Sequence, residues 1–240
     1  MKTSTKYLLA ALLVLLASLT AYNMALRTEY HKGTYKDPLR DYATLTFKDF
    51  DAIEIPAASL LQVKIVAGPY AVRLNPKAKE YVHLTQQGRR LIITAAFPEK
   101  REYLGWGETV VVSCPRLTEL HTDGTYQLKG KAQFDKADTR GNIQVQGFRQ
   151  DSLALQANRA TSIGLTGNKL GYLRATLGTT PGSQTSLALE VDNHIAAATL
   201  AMQHQSKLTV NNLAIADIHW QFADSAKAEL TGAALRMMQK

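Results

Sequence analysis

Apolar and polar residues alternate in short stretches along the chain from Phe50 onward. Side chains of a β-strand point alternately to opposite faces, so this pattern predicts strands that each bury one face. In the first half of the chain the predicted strands are residues 52–55, 62–65, 70–74, 81–85, 91–94 and 109–113. They are rich in β-branched residues and bounded by glycine, proline and asparagine, which indicates an all-β domain.

The second half of the chain alternates between two series of short apolar strands. Strands of the first series begin at Ser152, Tyr172, Thr199 and Asp217, and strands of the second begin at Ser162, Ser186, Lys207 and Lys227. Both series recur about every twenty residues, which is typical of a β-solenoid, because each coil can bury its inward side chains only against its neighbours. A β-sandwich with regular hairpins is the alternative, but a hairpin turn of the Asp-Gly type occurs only at Asp123-Gly124.

The order of these strands resembles a known family. Residues 63–74 (VKIVAGPYAVRL), 88–94 (GRRLIIT) and 109–120 (TVVVSCPRLTEL) follow one another, and stacked Leu-x-Leu units come after them. In this order the chain resembles the head GIN domain of auto-transporter adhesins, a domain of unknown function in exported proteins, mostly of Bacteroidetes. The resemblance covers about residues 47–235 and implies a right-handed parallel β-helix or a related β-roll. Family members often begin each coil with Ser-Gly, which this chain replaces with pairs such as Asn158-Arg159.

The N-terminal residues have the pattern of an export signal. Lys2 and Lys6 precede a largely apolar stretch from Tyr7 to Leu26. Twenty such residues are just long enough to cross the hydrocarbon core of a membrane, and the small-residue cleavage pattern around Leu19 is poor. We therefore expect an uncleaved transmembrane helix at residues 7–26, with a cleaved signal peptide as the alternative.

These features divide the chain into three parts. Residues 1–26 are the signal anchor or signal peptide, residues 27–46 are a juxtamembrane stalk in which Gly33 and Pro38 break any helix, and residues 47–236 are the β-domain. Because the N-terminal lysines stay inside, we expect an inner-membrane anchor with the body in the periplasm. A secreted or cell-surface protein is the alternative location.

The chain is basic, with 28 Lys and Arg residues against 20 Asp and Glu residues and a formal charge of +8. A basic protein can bind nucleic acid, an anionic lipid surface or an acidic glycan. The basic residues are spread along the chain, however, and no run of them interleaves with aromatic residues. We therefore expect no nucleic-acid binding.

The sequence has no catalytic, metal or cofactor motif. Its one cysteine, Cys114, follows an apolar run and is interpreted as a core residue, and a single cysteine excludes an internal disulfide. None of the six histidines is spaced as a metal ligand. His121 and Asp123 share one face of a strand, and we interpret Asp123 as a turn cap beside a surface histidine. We therefore predict no catalytic, cofactor-binding or metal residues.

Two sets of polar residues are weaker candidates. An acid and arginine set for carbohydrate chemistry consists of Asp123, Asp138, Arg140, Asp151 and Arg159. A glycosidase needs two carboxyl groups held close together, and a linear sequence does not show such a pairing. Outward amides that can bind sugar are Gln144, Gln146, Gln156, Gln203 and Gln205, although a solvated β-face has the same composition.

The charged segment at residues 98–108 is predicted to be an exposed loop, and it contains Trp106 between two glycines. We favour the interpretation that Trp106 folds back onto the domain, and a ligand-stacking tip is the alternative.

Taken together, these patterns predict an exported, membrane-anchored β-solenoid of adhesin-head type. We expect it to have a non-enzymatic binding or structural role in the cell envelope. The alternative is a polysaccharide-binding or polysaccharide-active envelope protein. The expected partners are an envelope component or glycan, and a second copy of the chain through a flat face.

Overall fold

The computed structural model describes residues 3–33, 37–136 and 141–239 of the chain. They belong to two compact units, Met1–Tyr42 and Ala43–Lys240. The first unit is an N-terminal helix and the second is a body made mostly of β-strands in two large sheets.

The helix α1 (Thr3–Lys32) has no buried residue. Its most apolar stretch of 18 residues has a mean hydropathy of 2.0. The hydroxyls of Ser18 and Thr20 donate to the carbonyls of Leu15 and Leu16, which leaves these side chains without an unpaired donor inside the apolar stretch. By length and composition α1 can cross a membrane, and a signal sequence has the same features.

The helix continues past the expected end of the anchor. It ends at Lys32, and the next residue, Gly33, has a φ of 68°, the left-handed conformation that commonly terminates helices. The segment interpreted as a stalk, residues 27–46, is thus helical at its start and contributes a strand to the body at its end. The three-part division of the chain stays a prediction.

The first sheet has nine strands. In spatial order they are β1 (Ala43–Leu45), β4 (Ala71–Leu74), β7 (Val110–Cys114), β3 (Gln62–Ala67), β11 (Asn142–Gln146), β13 (Ser162–Thr166), β15 (Ser186–Leu189), β17 (Lys207–Asn211) and β19 (Lys227–Thr231). We call it sheet 1.

The second sheet, sheet 2, has ten strands. In spatial order they are β10 (Lys131–Phe134), β9 (Thr125–Leu128), β6 (Arg90–Phe97), β2 (Ala52–Ile55), β8 (Glu119–Thr122), β12 (Arg149–Ala157), β14 (Lys169–Leu177), β16 (His194–Met202) and β18 (Asp217–Phe222). The remaining strand, β5 (Val82–Gln87), pairs with β6. Two short 3₁₀ helices, Pro76–Ala78 and Gly232–Gln239, complete the elements of the body that the structure describes.

From β11 onward the chain alternates between the sheets, and from β13 onward each strand pairs in parallel with the strand two places earlier. The register of the second series is confirmed, because Ser162, Ser186, Lys207 and Lys227 are successive partners. In the first series Ser152 pairs with Tyr172 as predicted, but Tyr172 pairs with Ala197 instead of Thr199. A shift of two residues keeps every side chain on its face, so the alternation of apolar residues does not detect it.

The first half of the body contains antiparallel pairs as well. The six strands predicted there are present as β2 to β7. β4 runs antiparallel to β1 and β7, β5 and β6 form a hairpin, and so do β9 and β10. The last hairpin turns at Lys129 and Gly130, both with positive φ, which matches the twist of an antiparallel pair. It was missed because its first turn residue is lysine rather than asparagine or aspartate.

The core consists of inward-facing aliphatic side chains from both sheets. In the second half of the body these are leucines and other aliphatic residues at matching positions, such as Leu165, Leu189 and Val210, each fully buried. Each such residue lies on the next one in register, so the apolar surface of one strand pair is covered by the strands that follow it.

Buried polar side chains line both connections between the sheets. Where the chain passes from sheet 1 to sheet 2, Asn168 Oδ1 accepts from the backbone N–H of Phe148 at 3.0 Å, and Asn193 Oδ1 accepts from the N–H of Asn168 at 3.0 Å. Asn193 Nδ2 donates to the carbonyl of Leu165 at 2.6 Å. On the return side Thr185 donates to Ser206 at 2.8 Å.

The asparagine connections predict a large effect of a single substitution. Asn193→Ala leaves the buried N–H of Asn168 without its acceptor, so we expect a loss of about 2 kcal/mol of unfolding free energy. Urea unfolding of the full chain in mild detergent measures it. Asn211→Ala, which removes a side chain bonded to Glu190 at the surface, is the matched control and should cost less than about 1 kcal/mol. Equal losses in both variants would contradict this role of Asn193.

Candidate functional site

A cluster of charged side chains lies on the outer face of sheet 2. Arg90 on β6 reaches over the small Ala52 on β2 to bind Glu119 on β8 at 2.8 Å, and it also binds Glu54 at 3.1 Å. The Nε2 atom of His121 lies 2.8 Å from Glu119. Both carboxylates hold the same guanidinium, and all four side chains are about one-third exposed. The cluster is therefore an ion-pair network that ties three strands together, with a modest contribution to stability.

Asp123 caps a turn, as the sequence predicts. Its Oδ1 accepts from the N–H of Gly124 at 2.7 Å, and its Oδ2 accepts from the hydroxyl of Thr125 at 3.2 Å. His121 contacts Glu119 and Arg90 rather than Asp123. The contacts of His121 are thus with the charged cluster of sheet 2, and those of Asp123 are with its own turn.

The proposed acid and arginine set is only partly assembled. Asp123 and Arg159 form an ion pair. Asp151 lies elsewhere, in an open surface groove of about 910 Å³ beside the exposed Arg149, Lys169 and His194. Asp138 and Arg140 lie outside the described residues.

Arg159 belongs to a cluster of arginine and aromatic side chains that sequence reasoning missed. Its guanidinium lies 5.3 Å from the centre of the Phe134 ring. In the same region Arg101 lies 5.0 Å from the centre of the Tyr126 ring and binds Asp135 at 3.1 Å. These contacts depend on the hairpin of β9 and β10, which no sequence pattern indicated.

The loop at residues 98–108 carries an exposed aromatic pair, Tyr103 and Trp106. Trp106 is 85% exposed and Tyr103 is 57% exposed, and their rings meet edge to face with centroids 5.8 Å apart. We call this pair the aromatic tip. The interpretation that Trp106 folds back onto the domain is wrong, because Leu104 takes the buried position and Gly105 and Gly107, both with positive φ, redirect the chain.

The aromatic tip is held in place by the body. Asn75, itself 7% exposed, donates through Nδ2 to the carbonyls of Trp106 at 3.5 Å and Glu108 at 3.4 Å. Gly105 packs against the same amide, where a Cβ atom would lie only 3.0 Å from Asn75 Nδ2. A larger residue at 105 would therefore push Asn75 aside. The absence of a side chain at Gly105 thus allows Asn75 to hold the loop.

The outward glutamines form part of the polar faces of the sheets. Gln146, Gln203 and Gln205 are exposed, and Gln205 accepts from Gln184 at 2.8 Å. Gln144 lies over Gly164 of the neighbouring strand, where a Cβ atom would approach its amide to 2.5 Å. These amides can donate and accept hydrogen bonds, and they lie on different elements, Gln144 and Gln146 on β11 and Gln203 and Gln205 after β16.

Cys114 lies in the core and has no exposed surface. Burial raises the pKa of its thiol from 9.0 to about 12. Because the nucleophilic form is the thiolate, we expect the buried Cys114 to be unreactive at neutral pH. Among the residues that the structure describes, no group of three or more His, Cys, Asp or Glu side chains is arranged to hold a metal ion.

No protein-family profile matches this chain, and no curated protein matches it. Several solved structures are similar to this chain. One, described as a "putative adhesin" from Bacteroides fragilis NCTC 9343, has 8% identity and a TM-score of 0.43, over 79% of this chain and 96% of that one.

Two further solved structures come from Parabacteroides. A "putative lipid binding protein" from P. distasonis ATCC 8503 has 13% identity and a TM-score of 0.36, covering 80% of this chain and 94% of its own. A "putative adhesin" from P. merdae ATCC 43184 has 11% identity and a TM-score of 0.27, covering 79% and 95%. Membership of the head GIN family stays a prediction.

The burial of Cys114 predicts slow alkylation. At pH 8 the native thiol should react with iodoacetamide roughly a thousandfold more slowly than in the unfolded chain, since each pKa unit lowers the thiolate fraction tenfold. As the pH rises from 9 to about 12, the unfolded thiol ionises before the folded one, so stability should fall over this range. Mass spectrometry follows the labelling. Similar rates in both states would show that Cys114 is accessible.

Proposed function

We propose that this protein is an exported, membrane-anchored β-solenoid whose body binds a polysaccharide of the cell envelope through the aromatic tip, without acting on it chemically. The observation that carries the proposal is the exposure of Trp106 on a loop that the body holds in place. The body lies in the periplasm in this proposal, with secretion or surface display as the alternative location.

The pairing of the strands supports a solenoid. From β11 onward each strand crosses to the opposite sheet, and the next strand of the first sheet is added in parallel, so each pair of strands is one coil. Crossovers between parallel strands are right-handed in nearly all proteins, which favours a right-handed coil. This would give the body long polar faces and two ends, as in other repeat proteins that bind extended partners.

The composition of α1 supports the anchor. Residues 7–26 are apolar and the lysines at positions 2 and 6 precede them, an arrangement that keeps the N-terminus in the cytoplasm and exports the rest. The membrane itself is therefore one partner of the chain in this proposal. We propose no nucleic-acid partner, because the basic side chains lie apart in the sequence.

The aromatic tip supports a glycan ligand. A large aromatic side chain that stays in water costs free energy, so an indole held exposed by the body indicates a contact surface. The faces of indole and phenol rings can stack on the C–H faces of sugar rings, and the tyrosine hydroxyl can bond to sugar hydroxyls. Tyr103 and Trp106 present both kinds of surface side by side. In addition, the charged side chains of the Arg90 cluster on sheet 2 are bonded to one another, which is consistent with binding rather than catalysis.

The tip predicts a fluorescence signal that reports binding. The chain has two tryptophans, so Trp220→Phe leaves Trp106 as the only tryptophan fluorophore. A glycan array with the full-length protein in detergent identifies ligands, which are then titrated against this variant. We expect binding to change the emission of Trp106, and Trp106→Ala to weaken binding about thirtyfold, as for an aromatic hot spot of about 2 kcal/mol.

Trp220→Phe is the matched control and should bind as the wild type does. If the protein binds no glycan on the array, or if Trp106→Ala binds as tightly as the wild type, glycan binding through the aromatic tip is contradicted. Release of hydrolysis or lyase products from a bound glycan would overturn the non-enzymatic role.

The anchor is tested by fractionation. We expect the full-length protein to begin at Met1 and to stay with the membrane pellet after washing with alkaline carbonate, because twenty apolar residues hold it in the bilayer. A soluble periplasmic marker should wash free in the same sample. Mass spectrometry of the N-terminus decides between the alternatives: a mature protein that begins near Tyr22 and washes free is a secreted one.

A further inference from the structure

The two sheets end at β18 and β19, and each of these strands has an edge without a partner among the described residues. Their inward side chains are also incompletely covered. Ile218, Trp220 and Leu230 are half-buried, whereas their register partners one strand earlier, Ala198, Leu200 and Val210, are buried. The last strand pair therefore presents apolar side chains and unpaired backbone groups together. We call this surface the open end.

The backbone of β19 has a defined polarity at the open end. The N–H of Lys227 donates to Ser206 at 2.9 Å, and the carbonyl of Thr231 accepts from Asn212 at 3.1 Å, so residues at odd positions bond toward β17. Residues at alternate positions of a parallel strand bond to opposite sides. Ala228 and Leu230 thus direct their N–H and C=O groups outward. The side chain of Ala228 is in register with the buried Leu208 and is nevertheless exposed.

The other end of the sheets is protected differently. Its outermost strands are the short β1 and β10, which run antiparallel to their neighbours, and β10 begins with an exposed lysine, Lys131. Short edges and edge lysines discourage strand addition. The open end has longer parallel strands, so it needs another means of covering its backbone groups.

We propose that a second copy of this chain covers the open end, with β19 pairing antiparallel to β19 of the copy about a two-fold axis at Ala228. In this register Ala228 and the copy's Ala228 exchange two backbone hydrogen bonds. Lys227 then lies opposite the copy's Glu229, and Glu229 lies opposite the copy's Lys227. The sequence around Ala228 is therefore complementary in charge to itself, as an interface with two-fold symmetry requires.

The same axis brings the edge of β18 toward the β18 edge of the copy. Trp220 and Phe222 lie on this edge, with ring centroids 6.0 Å apart, and Phe222 is 39% exposed. Pairing of the copies would remove this aromatic surface from water. A strand from an unrelated protein could pair with the backbone of β19, but it would not by itself supply two matched ion pairs. This proposal is independent of the ligand of the aromatic tip.

Cysteine cross-linking in membranes of expressing cells tests the contact on the full-length protein. Opposed residues of a hydrogen-bonded antiparallel pair have Cα atoms about 5.5 Å apart, within the range of a disulfide. We expect Ala228→Cys to give a covalent dimer in more than about half of the chains on mild oxidation. Native Cys114 is buried and should contribute nothing. Gln146→Cys, exposed on the outer face of sheet 1, is the matched control and should not form dimers.

Charge exchange distinguishes the two-fold contact from random collision of chains in the membrane. In the Ala228→Cys background, Lys227→Glu places two carboxylates opposite each other and should lower the dimer yield at least about fivefold. Adding Glu229→Lys should restore the yield. In the native chain Lys207 binds Glu229 at 2.5 Å. The double exchange still leaves Lys207 a carboxylate, because residue 227 is its register partner. Failure of the double exchange to restore cross-linking, equal cross-linking of the Gln146→Cys control, or a cross-linked product with the mass of a different protein would each overturn the proposal.

Discussion

The structure of the body depends on how the chain satisfies its backbone where it passes from one sheet to the other. At each passage N–H and C=O groups enter the interior and need partners there. Asn168 and Asn193 supply them from one strand pair to the next, since each amide bonds to the backbone of the preceding connection. Because these bonds join successive connections, they fix the register in which the leucines stack. An apolar interior alone would tolerate slips that the amides forbid.

In this construction, the parts of the molecule outside the stacked strands are the ones that can offer groups to a partner. Outward positions of the sheets carry amides and ion pairs that are bonded to their neighbours, as Arg90 is to Glu54 and Glu119. Our two proposals rest on a loop and on an edge. The loop is the aromatic tip, held by Asn75, and the edge is the open end formed by β18 and β19. The proposed binding role rests on these two places, where the stacking ends.

Much of this body could be predicted from sequence because period-two alternation and a repeat of about twenty residues are local signals. The register of Ser162, Ser186 and Lys207 followed directly. The position of Thr199 did not, since a slip of two residues preserves the faces. The exposure of Trp106 depends on a contact with Asn75, thirty-one residues earlier in the chain, and no local pattern encodes such a contact.

The most direct test of parallel stacking is a disulfide placed across it. The hydroxyls of Ser162 and Ser186 lie 2.8 Å apart on neighbouring strands, so the double variant Ser162→Cys with Ser186→Cys should close an internal disulfide on mild oxidation of the folded protein. The pair Ser162→Cys with Ala188→Cys, two residues out of register, should not. Peptide mapping by mass spectrometry identifies the bridge. No bridge in the first pair, or equal yields in both, would contradict this account.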